Sequence, residues 1–177
     1  MRFLLAIPAI ITLLAIACGG DSDTDSPNGV TPTPVFTGCM KFSPQSPNTH
    51  TIRISKAGGT TATVIVQLLD TPGERGAGLA NRDCLPEDSG MLFAFPDDTT
   101  ISFQMRDTLI PLSIAFIQAG GEIVHIVDME PRATESYVSP VPYRYAIEVS
   151  QGWFADNGVA LGDTADIAES FSASATN

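Results

Sequence analysis

Sulfur and imidazole are scarce in this chain, which has three cysteines and two histidines in 177 residues. So few soft ligands exclude a zinc finger or a cluster-binding protein. Basic residues are also few, nine Lys and Arg against 20 Asp and Glu, and the formal net charge of −11 leaves no electrostatic grip for nucleic acid. No nucleic-acid partner is expected. A Gly-rich phosphate loop, a Gly-x-Ser-x-Gly elbow, a His-Glu-x-x-His pair and a Cys-x-x-Cys pair are all missing, so no catalytic residue and no cofactor are assigned. What is present is a chain with 44% hydrophobic and 16% charged residues. That length and composition support one domain with its own core, expected to be a monomer.

The N-terminal residues point to a compartment. Arg2 precedes the apolar run Phe3 to Ile16, too short and one-sided for a stable membrane span but suited to an export signal. The run closes on Ala15-Ile16-Ala17-Cys18-Gly19, which resembles the lipobox of bacterial lipoproteins. The resemblance implies a signal peptide over 1–17, a lipid on Cys18 and an extracytoplasmic protein held on the bacterial cell membrane. Several acyl chains, at about 0.8 kcal/mol per buried methylene, make such an anchor long-lived. Residues 18–36 are rich in Gly, Ser, Thr, Asp and Pro, a composition that does not offset the entropy of ordering, and they read as a flexible tether. The β domain is expected over 37–168 and a frayed tail over 169–177.

Within the domain the dominant period is two. His50 to Lys56 alternates, and Ala62 to Leu69 is β-branched and apolar up to the Thr71-Pro72-Gly73 breaker. Leu112 to Gln118 and Glu122 to Met129 flank Ala119-Gly120-Gly121, where Gly-Gly predicts a two-residue hairpin turn. Met91 to Phe95, Ile101 to Met105, Tyr145 to Val149 and Thr164 to Ala168 supply further strands. Helix is expected only over Glu74 to Arg82 and Gln151 to Asn157, the second ending at Gly158. Eight or so strands with little helix predict a single antiparallel β-sandwich or barrel.

From about Arg53 to Ile167 the chain resembles DUF192, a bacterial and archaeal family of unknown function. The resemblance rests on Thr71-Pro72-Gly73-Glu74-Arg75-Gly76-Ala77-Gly78-Leu79 with Arg82, and on Leu85-Pro86-Glu87-Asp88-Ser89-Gly90-Met91-Leu92-Phe93. It continues through Phe103-Gln104-Met105-Arg106-Asp107-Thr108-Leu109-Ile110-Pro111-Leu112 to Ala146-Ile147-Glu148-Val149 and Leu161-Gly162-Asp163. It implies a jelly-roll β-sandwich, often exported or lipid-anchored, and no established reaction.

The residues that could carry chemistry lie in those blocks. Glu74, Asp107 and Glu148 are carboxylates that could work as acid and base or serve structure as a first-turn acid, a turn former and a partner for an arginine. Arg75, Arg82 and Arg106 could grip an anionic ligand or pair with those acids. If a pocket exists, it is expected around Met105, where strand ends from separate blocks can converge. Met91, Met105 and His125 offer soft atoms, but packing explains the methionines and one histidine has no partner ligand nearby. Trp153, Phe154, Tyr143 and Tyr145 could form a sugar-binding face, although packing explains them better. Cys39 and Cys84 are left after Cys18 is lipidated, and an oxidising exterior makes them a disulfide. The function expected is a membrane-anchored binding module for a small molecule, a glycan or an envelope protein. A carboxylate-based hydrolase or lyase and a structural envelope protein are the alternatives.

Overall fold

A computed structural model of the protein describes residues 48–167. The export signal, Cys18, the tether, Cys39 and the tail lie outside the described residues.

The described chain is mainly β, as its alternation predicts. Strands β1 (Thr49–Ser55) and β2 (Thr61–Leu69) bury Ile52, Ile54, Ala62, Val64 and Val66 on one face and pair antiparallel. The chain then passes through α1 (Pro72–Ala77) into β3 (Ser89–Thr99), which runs parallel to β2. This pair departs from the all-antiparallel expectation. The 19 residues of 70–88 are long enough for a crossover, which a hairpin turn is not.

Then follow β4 (Phe103–Gln104), β5 (Leu112–Ile117), β6 (Ile123–Met129), β7 (Ser136–Tyr137), β8 (Tyr143–Ser150), α2 (Trp153–Asp156) and β9 (Thr164–Ala165). Seven strands form one sheet in the order β6-β5-β8-β3-β2-β1-β9, and β4 pairs with β7 in a second, small sheet. The large sheet curls until its edges meet. Ile123 N–H donates to Asp163 O and Gly162 N–H to Ile123 O, both at 2.9 Å, and Ala165 N–H donates to Gly121 O at 2.8 Å. These bonds tie the two edges of the sheet together around the start of β6 and β9.

Three local expectations are corrected. The β5–β6 turn has three residues: Gly121 N–H donates to Gln118 O at 2.9 Å, and only Gly121 (φ 90°) takes a positive φ. A turn followed by one left-handed glycine is the usual three-residue hairpin. The first helix spans Pro72–Ala77 rather than Glu74 to Arg82, because Thr71 caps it, Pro72 takes its first position and Gly78 (φ 44°) ends it. The strand predicted over Ile101 to Met105 shrinks to Phe103–Gln104, since 105–108 forms a turn in which Thr108 N–H donates to Met105 O.

Both faces of the sheet's centre are buried, which is why all six residues of β5 are buried and all but Ser113 are apolar. Leu92, Ala115, Ile117, Ile147 and Val149 face one core with Trp153 and Phe154 of α2. Met91, Phe93, Ile114, Phe116 and Ala146 face a second core on the opposite side, against which Phe103 and Tyr137 of the small sheet pack. The alternation of β8 places Glu148 on the face of Ala146, with Met91 of β3 and Ile114 of β5 as its cross-strand partners.

Candidate functional site

A cleft of about 480 Å³ opens over that second face. One wall is α1 and the turn after it, from Pro72 to Ala80, and the other is the segment from Ile101 to Thr108. Phe93, Phe95 and Phe103 make its aromatic surface. Phe93 and Phe103 meet edge to face at 4.9 Å between centroids, and Phe103 meets Phe116 at 5.7 Å, so the rings brace one another. The backbone of the walls is tied together where Asn81 N–H donates to Asp107 O at 2.8 Å. Tyr143, buried so that its phenol is pushed up to about 12, stays neutral and donates to Ile101 O.

Glu148 lines this cleft with only 6% of its surface exposed. Among the described residues its carboxyl has no hydrogen bond and no ion pair. Burial pushes it up to about 8, so at neutral pH it is a protonated acid. Arg75 of α1 also lines the cleft, but its guanidinium is occupied: it donates to Ala94 O at 2.8 Å and to Asp70 O, and lies 4.8 Å from the Phe95 ring centroid. Arg106 and Asp107 are exposed neighbours on the other wall.

Of the seven residues expected around a pocket, the structure therefore brings Arg75, Arg106, Asp107 and Glu148 to one cleft. It places the other three elsewhere. Glu74 is outside, where its carboxylate accepts from Thr71 N–H at 3.1 Å and Thr71 Oγ1 at 2.6 Å in a capping box. Those bonds to Thr71 hold its carboxyl below the usual range. Arg82 donates to Gln67 Oε1 at 3.2 Å, and partial burial lowers its guanidinium pKa. Met105 is buried in the second core. The aromatic surface went unassigned by sequence reasoning. The signal was the two-residue spacing of Phe93 and Phe95, which puts both rings on one face of β3.

The remaining candidates fall outside the cleft. Trp153, Phe154 and Tyr143 are buried, with Trp153 Nε1–H donating to Asp88 Oδ1 at 2.8 Å, and Tyr145 is half-buried against the first core, so the four form no shared exposed face. His125 stacks on Phe116, with ring centroids 5.8 Å apart, and no group of metal-ligating residues occurs among the described residues. Cys84 is half-buried in the loop after Arg82, and its expected partner Cys39 lies outside the described residues. No helix among the described residues is long and apolar enough to cross a membrane.

The family model of DUF192, described as Uncharacterized ACR, matches residues 53–167. Two solved structures are similar. One, from Sinorhizobium meliloti and put forward as a transcription regulator, is 30% identical with a TM-score of 0.65, over 67% of this chain and 92% of that one. The other, a protein of unknown function from Novosphingobium aromaticivorans, is 25% identical with a TM-score of 0.62, over 66% of this chain and 83% of that one. No curated protein matches the chain.

Proposed function

The chain belongs to the DUF192 family, and from that membership together with its cleft we propose a lipid-anchored extracytoplasmic module that holds a small molecule without transforming it. The observation that carries the reading is a cleft with aromatic walls and one buried, unpartnered carboxyl, the arrangement of apolar surface and few polar groups by which small-molecule sites work. The aromatics expected to serve a glycan, Trp153, Phe154, Tyr143 and Tyr145, do not line the cleft, which favours the small-molecule reading. A purely structural envelope protein has no use for a polar group desolvated in a cleft. The regulator description of the Sinorhizobium relative does not carry over, because a net charge of −11 repels a phosphate backbone.

The anchor rests on Cys18 and the apolar run before it, and residues 18–36 would let the domain stand off the bilayer. The Cys39–Cys84 bridge belongs to the same proposal, since it needs an oxidising exterior. The test of the binding reading is native mass spectrometry of the protein extracted gently from its own host. A reproducible extra mass that is lost on denaturation is expected, and a bare lipidated polypeptide in repeated preparations refutes a tightly held ligand. For the anchor, radioactive palmitate labels the protein and not Cys18→Ala; label on the variant refutes lipidation at Cys18.

Asp107 and Glu148 share the cleft, and this favours the hydrolase or lyase as the second reading. A protonated Glu148 is poised as a general acid and Asp107 as a base. Turnover of a library of esters, amides and glycosides that Glu148→Gln abolishes would establish it; turnover unaffected by Glu148→Gln and Asp107→Asn together would exclude it.

A further inference from the structure

The chemistry of the ligand can be read from what the cleft lacks. Glu148 is packed against the second core with its small exposed part on the cleft, and the residues paired with it across β8, Met91 and Ile114, carry no donor to satisfy it. A carboxylate can only accept hydrogen bonds, so a ligand that matches it must bring donors, and a positive charge with them makes the strongest pairing. Two other features of the cleft favour a cation. Phenyl faces attract one, and the net charge of −11 raises the local concentration of cations around the molecule.

Arg75 spends its hydrogen-bond donors on two carbonyl oxygens and its face on the Phe95 ring, and Arg106 and Asp107 are exposed neighbours on the other wall, so Glu148 is the buried charge-bearing group that a ligand meets inside the cleft. An anionic ligand reaching the same depth would keep Glu148 protonated as a donor and release no proton. A neutral apolar one would leave that acid unsatisfied.

We propose that the cleft takes a small ammonium ion with an apolar body, the ammonium donating to the Glu148 carboxylate and the body lying against Phe93, Phe95 and Phe103. The inference rests on the small-molecule reading above. It also makes binding a proton exchange. The protonated acid gives up its proton when the ammonium pairs with it, so at pH 7 roughly one proton is released for each amine bound.

Three probes with a common phenyl body test this on the intact protein: 2-phenylethylamine, 2-phenylethanol and 3-phenylpropionate. Binding is followed by the amide resonances of the cleft, and proton release by titration calorimetry in two buffers of different ionisation heat. The amine is expected to bind tightest, to release roughly one proton at pH 7, and to lose about 10- to 100-fold in affinity in Glu148→Gln. The proton count needs no variant and stands if Glu148→Gln misfolds. Equal or tighter binding of the alcohol or the acid, with no proton released, overturns the ammonium proposal and leaves the small-molecule site intact. Failure of the amine to perturb the cleft at ~10 mM also overturns it, while a mass retained in native spectrometry would still uphold a ligand of other chemistry.

Discussion

Glu148 couples the pH of the medium to the stability of the fold. Its carboxyl stands at about 8 in the folded protein against 4.5 for a solvated glutamate, because burial penalises the charged form. Between those values the folded state holds a proton that the unfolded state has lost, so stability is fully present below pH 4.5, falls as pH rises through 8, and is flat above it. Urea denaturation from pH 5 to 9 should show this decline in the wild type. Glu148→Gln, neutral at every pH, should flatten that part of the profile and be the more stable protein at pH 9; an unchanged slope refutes the assignment. A second carboxylate, Asp163, plays the opposite part. It is buried but satisfied, accepting from Ala57 N–H at 3.0 Å and Ala160 N–H at 2.8 Å, and so ties the β1–β2 turn to the loop before β9. Asp163→Ala leaves two backbone donors without their acceptor and is expected to cost about 2–4 kcal/mol in the same denaturation measurement.

At the scale of elements, the closure of the sheet turns on one glycine. Gly121 has φ 90°, and a Cβ there would lie 2.4 Å from Ala165 O, the strand whose amide bonds back to Gly121 O. A side chain therefore meets backbone strain and a steric clash at the same atom. Gly121→Ala should destabilise the protein by about 2–3 kcal/mol, with hydrogen-exchange protection lost first at Ile123 and Ala165; uniform protection with unchanged stability would show that the edges close without this contact. The same glycine shows how far the elements were legible. The two strands around it were readable because β-branched residues bounded by glycine have few other uses, and β1 and β2 because alternation buries one face. The parallel β2–β3 pairing was not readable. It depends on where β3 finds a vacant edge, and nothing in 70–88 records that. The helix boundary was misplaced because the periodic residues Leu79 and Arg82 continue the pattern beyond Gly78, whose positive φ breaks the helix first. The cleft was half-legible for the same reason. Residues in named blocks, such as Arg106 and Glu148, could be picked as candidates, but the capping box with Thr71 turns Glu74 away and the pairing of β8 between β3 and β5 sets Glu148 on the cleft face.

For the whole molecule, the lipid anchor we propose on Cys18 is consistent with the scarcity of basic residues. An acidic domain is repelled by anionic headgroups, so under that proposal a lipid and a tether would hold it at the surface where charge alone would not. The exterior location we propose would provide the redox setting for the bridge between Cys39 and Cys84. It would close 46 residues, counting both ends, and join the start of the domain to the half-buried loop after Arg82. By chain entropy such a loop stabilises the fold by roughly 4 kcal/mol, an upper guide because any structure left in the unfolded chain reduces it. Reduction by dithiothreitol should therefore lower the urea midpoint without altering the near-ultraviolet circular dichroism of the folded protein, and Cys84→Ser should reproduce the loss while becoming insensitive to the reductant. Alkylation of both thiols in the native, non-reduced protein refutes the bridge. Because the bridged loop leads into β3, which carries Phe93 and Phe95 into the cleft, an intact bridge also predicts that reduction weakens retention of the ligand mass in native spectrometry before the domain unfolds.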